Sequence, residues 1–515
     1  MEELEAKRMK KPVKIGLWLL GFAVLGLLGL WLEHERAKAR LAAFKADLIA
    51  KGEKLAIADH VPKLPPALSN AAPDFLAAAN RLTELKAEWQ PARMRMVAPG
   101  KARVTWQQAE LPTDKDMDIW PIVTAHVEDN RHLLTEMAVA LERPEMVFNL
   151  DYTKGFSLLL PHLSKVKRAA SALALGATVD LRSDQTNSAF TNLLAAALLC
   201  QRYQEPLLIS ELVRAACGSI VLNATWEGLQ HSGWRDSQLR DLQAAWQGQG
   251  TGSNMIAAWN MERAISGSVF QRCRGDYEYY DQLGGASSGS GRPFFEELWD
   301  DPKEAGERVI RYSKHGLWAI WFSYPDETWT LNHQQVVLDS MRIALRHDIY
   351  STAQRDLEAE LKRNGEPGTM LLLSGMVVPP SARYFQKFAS FETVRRLTHT
   401  AIALHRHRLK HGKFPESLGA LVPEFLAEVP RDFMDGQPLR YRLEPDGRFR
   451  LWSVGEEFKD DGGDATTVGA QSTNPFDWLK GRDWVWPQPA TEAEVAAYHA
   501  ELAAKRALTA PKPPP

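Results

Sequence analysis

The sequence predicts a mainly α-helical chain with a single N-terminal transmembrane helix, an α-helical bundle or solenoid-like ectodomain, and a small C-terminal α+β module. Three observations predict this. Residues 15–32, "IGLWLLGFAVLGLLGLWL", form an uncharged apolar run. Residues 70–380 are dominated by apolar positions at three-and-four spacing, the helical period. Near the far end, "PLRYRL" and "RFRLWSV" alternate apolar with polar residues around an "EPDG" turn, the pattern of a hairpin.

The apolar run comes first. As a helix it reaches about 27 Å, enough for one crossing. Trp18 and Trp31 lie near its ends, where amphipathic rings prefer the membrane interface. Lys7, Arg8, Lys10, Lys11 and Lys14 precede it in a basic tail, residues 1–14. The exit "GLWLEHER" offers no small-x-small cleavage site, so a retained signal-anchor is expected rather than a removed signal peptide. Arg36, Lys38 and Arg40 make the other flank basic too, but a short basic tail before a large domain usually stays inside. The expectation is one pass of a bacterial inner (cytoplasmic) membrane, N-terminus inside and bulk periplasmic.

A charged juxtamembrane helix, residues 33–56, continues from the run with Leu41, Phe44 and Leu48 on one side, and the Pro-rich "HVPKLPP" breaks it. The helical ectodomain then extends over 57–380. "FSLLLPHLSKVKRAASALALGATVDLRSDQ" is a long helical pattern interrupted by Pro161, and Pro206 stands as a first-turn residue of the helix that follows. "GGASSGSGRP" at 284–293 reads as a flexible loop. Cys200, Cys217 and Cys273 are too few for a disulfide framework and lack zinc spacing. Cys200 and Cys217 fall in apolar helical sequence, which predicts buried thiols; a bridge between them stays open if the region lies in an oxidising compartment. Lys plus Arg is 62 against 64 acids, a net charge of −2, which argues against a nucleic-acid partner.

The stretch "ALALGATVDLRSDQTNSAFTNLLAAALLCQRYQEPLLISELVRAACGSIVLNATWEGL" resembles the helical ectodomain of uncharacterised membrane-anchored proteins of planctomycete and verrucomicrobial bacteria. There an Ala/Leu helix, a polar turn and a second helix lead into a "PxLIxxLVRxA" motif, matched here from Pro206 to Ala216. The resemblance covers residues 60–380 and implies location and architecture, with no catalytic residue.

Residues 383–412 form a further helix with Phe385, Phe388, Val394, Leu397, Ala401 and Leu404 at helical spacing. Together with the hairpin they make a block, 381–490, similar to the globular domain of the major pseudopilin of type II secretion systems. Phe414-Pro415 stands for the family's Tyr-Pro, and "DFMDGQPLRY" (432–441) for its Asp-Pro-Trp-Gly stretch. Ser453-Val454-Gly455 opens the loop, "KDDGGD" is its acidic centre, and "RDWVWP" stands for the closing Asp-Ile-Trp. Two departures matter. Residues 33–380 stand between the apolar helix and this block, and "KKPVKIGLWLLG" lacks the family's cleavage-site Gly and following Glu, so pilus assembly is not implied. The first Asp of the family's calcium loop reads Glu456-Glu457 here. The resemblance implies a calcium loop, and Ser453, Glu457, Asp460, Asp461 and Asp464 supply the oxygens that such a hard cation requires. The plain alternative is a solvated acidic loop. Residues 491–515 read as a helix and a Pro-rich tail.

Nothing else assembles chemistry. His399, His405, His407 and His411 share a basic helix without HExxH or a carboxylate partner, and solvent-facing histidines are expected. The Gly-rich stretches at 284–291 and 462–469 match no nucleotide-binding context, and "GTGSN" holds no nucleophile elbow. The aromatics of "WAIWFSYPDETW" fit core packing or a ligand groove. The functional expectation is a structural or interaction protein of the envelope, touching envelope or secretion-system proteins through its C-terminal module, with no catalysis. The alternative is a ligand-binding or enzymatic ectodomain with its site in the helical middle.

Overall fold

The structure is a computed structural model and describes residues 11–112, 117–250, 252–283, 302–365, 373–467 and 477–509. It is mainly helical, with a small antiparallel sheet near the C-terminus. In chain order the helices are α1 (Lys11–Ala50), α2 (Ala72–Arg81), α3 (Trp120–Leu141), α4 (His162–Arg182), α5 (Thr186–Arg202), α6 (Leu208–Leu229) and α7 (Asp236–Gln247). Then come α8 (Gly252–Gly275), α9 (Tyr277–Leu283), α10 (Pro302–Leu317), a π turn (Trp318–Phe322) and α11 (Ser323–His347). The last are α12 (Tyr350–Asn364), α13 (Ser374–Val377), α14 (Ser381–His411) and α15 (Glu492–Thr509). The expected loop at 284–293 lies outside the described residues.

The chain divides into two compact units. One comprises Met1–His60, Glu262–Val337 and Ala359–Pro380. Its leading feature is α1, a helix of 40 residues whose two halves differ. In its first half Trp18, Leu19, Leu20, Phe22, Leu25 and Trp31 are among the exposed apolar side chains, and this helix is long and apolar enough to cross a membrane. Beyond Leu32 the helix continues unbroken and Leu41 and Leu48 are buried against Leu331 of α11, with Phe44, Leu55 and Tyr324 packed around them. The helix does not run to the Pro-rich stretch. It stops at Gly52, whose φ of +90° suits glycine, where Gly52 N–H donates to Ile49 O (2.9 Å) and Glu53 N–H to Leu48 O (3.0 Å). That pair of bonds is a Schellman end, which satisfies the last carbonyls without help from proline.

The second unit comprises Val61–Met261, Leu338–Glu358 and Ser381–Pro515, so the 381–490 block shares a unit with most of the helical middle. Here α4 packs on α5 and α6, and α14 lies against α6 and α7. Pro161 precedes the first residue of α4 and begins that helix instead of interrupting one. Gly218 lets α6 meet α14 closely: a Cβ there would stand 2.2 Å from the Phe391 ring. α6 is also apolar enough to span a membrane by composition, but 61% of that window is buried inside the protein. Buried carboxylates join the elements. Asp180 accepts bonds from Arg131, Ser188 and Asn192, each at 2.8 Å, linking α3, α4 and α5. Glu227 accepts the N–H groups of Met94 and Thr105 at 2.8 Å. Cys200 and Cys217 are buried free thiols, and burial pushes Cys200 up to about 12.

Two short sheets complete this unit. β1 (Met96–Ala98) pairs antiparallel with β2 (Lys101–Ala102), which pairs parallel with β6 (Gln488–Pro489). The predicted hairpin is β3 (Arg440–Leu443) and β4 (Phe449–Ser453), in register Arg440↔Trp452 to Leu443↔Phe449, extended by β5 (Trp484–Val485). The expectation of solvent-facing histidines on α14 holds for the exposed His411 and is corrected for His399, His405 and His407. His407 is buried, with Nδ1 3.0 Å from Lys413 O. His405 packs edge-on to Phe414 and Phe449, and burial, with Arg408 nearby, pushes it down to about 3. The basic character of the helix hid an aromatic seam on its inner side.

One titration follows from this packing. Burial raises the Glu262 carboxyl from its ordinary 4.5 to about 7. A raised acid favours the folded state most below its unfolded value and loses that contribution as pH climbs through 7. Thermal melts of wild type and Glu262→Gln should therefore coincide near pH 4.5, and the variant should melt higher at pH 8.

Candidate functional site

The acidic loop follows β4. Gly455 opens it at φ +62°, where a Cβ would lie 2.8 Å from the Trp484 ring, so only glycine fits. Gly462 and Gly463, at φ +74° and +81°, turn the chain back over the sheet. The loop closes on a residue outside the predicted set. Asp483, fully buried beside β5, accepts the N–H groups of Gly463 (2.8 Å), Asp461 (3.1 Å) and Asp464 (3.1 Å) on Oδ2. Burial pushes its carboxyl up, against the pull of these three donors.

Each predicted ligand has a definite place. Ser453 Oγ is buried and donates to Asp432 Oδ1 at 2.8 Å. Asp432, fully buried, also accepts from Val454 N–H (2.9 Å), Met434 N–H (3.1 Å) and Arg440 Nη1 (2.9 Å). Asp460 accepts from Trp452 Nε1 and the Gly462 N–H at 3.0 Å, and Arg440 Nε stands 3.5 Å from its other oxygen. Burial opposes ionisation of Asp460, yet these donors hold it below its ordinary value. Asp461 pairs with Lys459, and Asp464 accepts the Thr466 N–H at 2.9 Å with Arg482 at 3.8 Å. Glu457 is exposed.

The structure thus brings Asp460 onto Arg440 together with Asp432 and Asp435, and joins Ser453 to that group through Asp432. Asp461 and Asp464 gather by their backbone around Asp483. Among the described residues no three His, Cys, Asp or Glu side chains form a group able to hold a metal. The countercharge in the loop is a guanidinium. Asp432, Arg440 and Asp483 are the organising residues that sequence reasoning missed. The available signal was position: Asp483 is an acid between Arg482 and the buried run "WVW", and a charge embedded in core sequence needs buried partners.

A second feature lies in the helical part of the same unit. An open groove of about 740 Å³ runs between α6 and α14, with Ile220, Phe391 and Val394 on its floor and Lys167, Arg383 and Lys387 along it. The half-exposed His399, by contrast, faces Gln243 and is pushed down to about 4 by burial and by Arg395 and Arg406, so it is neutral at physiological pH.

Asp483→Ala should leave three loop amides without an acceptor and cost on the order of 1–3 kcal/mol. Limited proteolysis should then cut first within 459–467, whereas Asp461→Ala should melt like wild type. Compared with known proteins, the chain matches no family model, no curated protein and no solved structure.

Proposed function

We propose that the protein is a single-pass membrane-anchored structural protein of the bacterial cell envelope, N-terminus inside and bulk periplasmic. One observation carries this reading: α1 keeps the apolar side chains of its first half exposed while its second half is built into the protein by Leu41 and Leu48. Exposed runs of that size are rare on water-facing surfaces and mark a lipid or protein contact. Because the helix does not break between the two halves, the anchor is part of the fold and not a flexible tether. The 381–490 block serves in this reading as a pseudopilin-like module that contacts an envelope or secretion assembly. Its long helix followed by a three-stranded antiparallel sheet supports that role. A ligand-binding ectodomain is the second reading, favoured by the groove between α6 and α14, where apolar floor and cationic side chains meet.

The full chain should stay with bacterial membranes through an alkaline carbonate wash and leave only with detergent. A chain lacking residues 1–32 should be soluble, and protease added to spheroplasts should digest the bulk of the full chain. Release of the full chain by carbonate alone would overturn the proposal.

A further inference from the structure

The anchor-bearing unit has a second exposed apolar surface, on α10. Val309, Ile310, Tyr312, Leu317 and Ile320 are each 48–62% exposed. At 100° per residue they fall on one continuous face of the helix and its π turn, together with Ser313 and Gly316. The opposite face is already spent inside the protein. Trp318 is buried and donates Nε1–H to Asp326 at 2.8 Å. His315 is buried with Nε2 2.7 Å from Cys273 O, and Arg311 pairs with Glu304 and Asp281. The helix thus buries Trp318 and His315 while leaving a mostly aliphatic face outward, which is unusual for a water-facing surface.

Contacts within the unit say what lies on that side. α1 and α11 run parallel: His34 meets Ile320 and Tyr324, Lys45 meets Glu327, and Glu53 meets Gln335. α10 precedes α11, so it lies on the side of the His34 contact toward which the apolar run of α1 extends. His34 is two residues past Leu32, about 3 Å along the helix. The end of the exposed apolar face therefore meets the anchor where it leaves its apolar run. Half-exposed Trp321 sits beside His34, ring centroids 6.5 Å apart, at the level where indole rings favour the interface. Lys303 and Lys314 flank the face, both exposed, as on helices that lie on anionic lipid.

We propose that α10 and its π turn are a second membrane contact, with the exposed face of Val309, Ile310, Tyr312, Leu317 and Ile320 meeting lipid beside the point where α1 leaves its apolar run. The proposal rests on the anchor reading of α1. The anchor and α10 then engage the same leaflet and hold this unit at two points, fixing its tilt.

The test uses the full chain in phosphatidylcholine–phosphatidylglycerol vesicles whose acyl chains carry spin-label quenchers both near the glycerol and at mid-chain, the latter to reach the anchor reporter. A polarity-sensitive fluorophore is attached at Leu317→Cys or Ile310→Cys, with Leu25→Cys as the anchor reporter and Leu68→Cys as the water reference. The three native cysteines are buried, and Leu68 is 91% exposed. Fluorophores at 317 and 310 should blue-shift and be quenched, as at 25, while the one at 68 is not. Quenching at 25 with none at 317 and 310 would overturn the α10 proposal and leave the anchor standing. No quenching at 25 would overturn the anchor reading itself, and the α10 contact with it.

Discussion

Glu327, almost completely buried, holds Lys45 of α1 and Arg274 of α8 at once. Much of the first unit depends on that meeting. Burying the Glu327 carboxylate brings a desolvation cost that the partly exposed Lys45 and Arg274 offset only with good geometry, so the ion set is weak support for stability. The favourable term comes from the apolar contacts beside it, Leu41 and Leu48 on Leu331, at about 1.5–3 kcal/mol for each fully buried side chain. What the ions add is register. A Leu seam alone tolerates sliding by a turn; a cation on each side of one buried carboxylate does not. Further along, Arg263 makes the same kind of joint with Glu53 at 2.8 Å. The result is a helix that stays in step with α11 from His34 to Glu53.

The second unit uses buried carboxylates differently. Asp180, Glu227, Asp432 and Asp483 each accept bonds from several donors, and each reaches at least one donor on a separate segment of the chain. Backbone N–H groups in irregular segments cannot be left unsatisfied when buried, and a single carboxylate can serve three of them. This explains how a loop as acidic as 455–467 holds a defined shape in the structure: Asp483 collects its amides, and Arg440 answers Asp432, Asp435 and Asp460. The scaffold reading fits a chain whose buried charges are spent on joints between elements.

What could be read from the sequence was whatever repeats. The apolar run at 15–32, the helix over 383–412 and the 440–453 hairpin all rest on local periodicity, and the structure has each of them. Helix ends were less legible, because a Schellman glycine at 52 and a proline before α4 look alike to a reader who treats Pro as the stronger stop. His405 and His407 were misread because charged neighbours on one side of α14 say nothing of the aromatic side. Asp483 depends on amides 19 to 22 positions away across a loop, and the shared unit of 61–261 with 381–515 on contacts such as Trp226 with Pro487 and Gln243 with Phe425, far apart in sequence. The exposed face of α10 is visible in "ERVIRYSKHGLWAIWF" as a pattern, but only the contact of Ile320 with His34 relates it to the anchor.

The central claim is that one unbroken helix leaves the bilayer and enters the protein's own core. Hydrogen exchange of the full chain in lipid nanodiscs, read amide by amide from Leu25 to Gly52, tests this most directly. The account predicts slow exchange throughout, with protection continuous across residues 32–37. A window of fast exchange there, between two protected halves, would mean a hinged tether and contradict it.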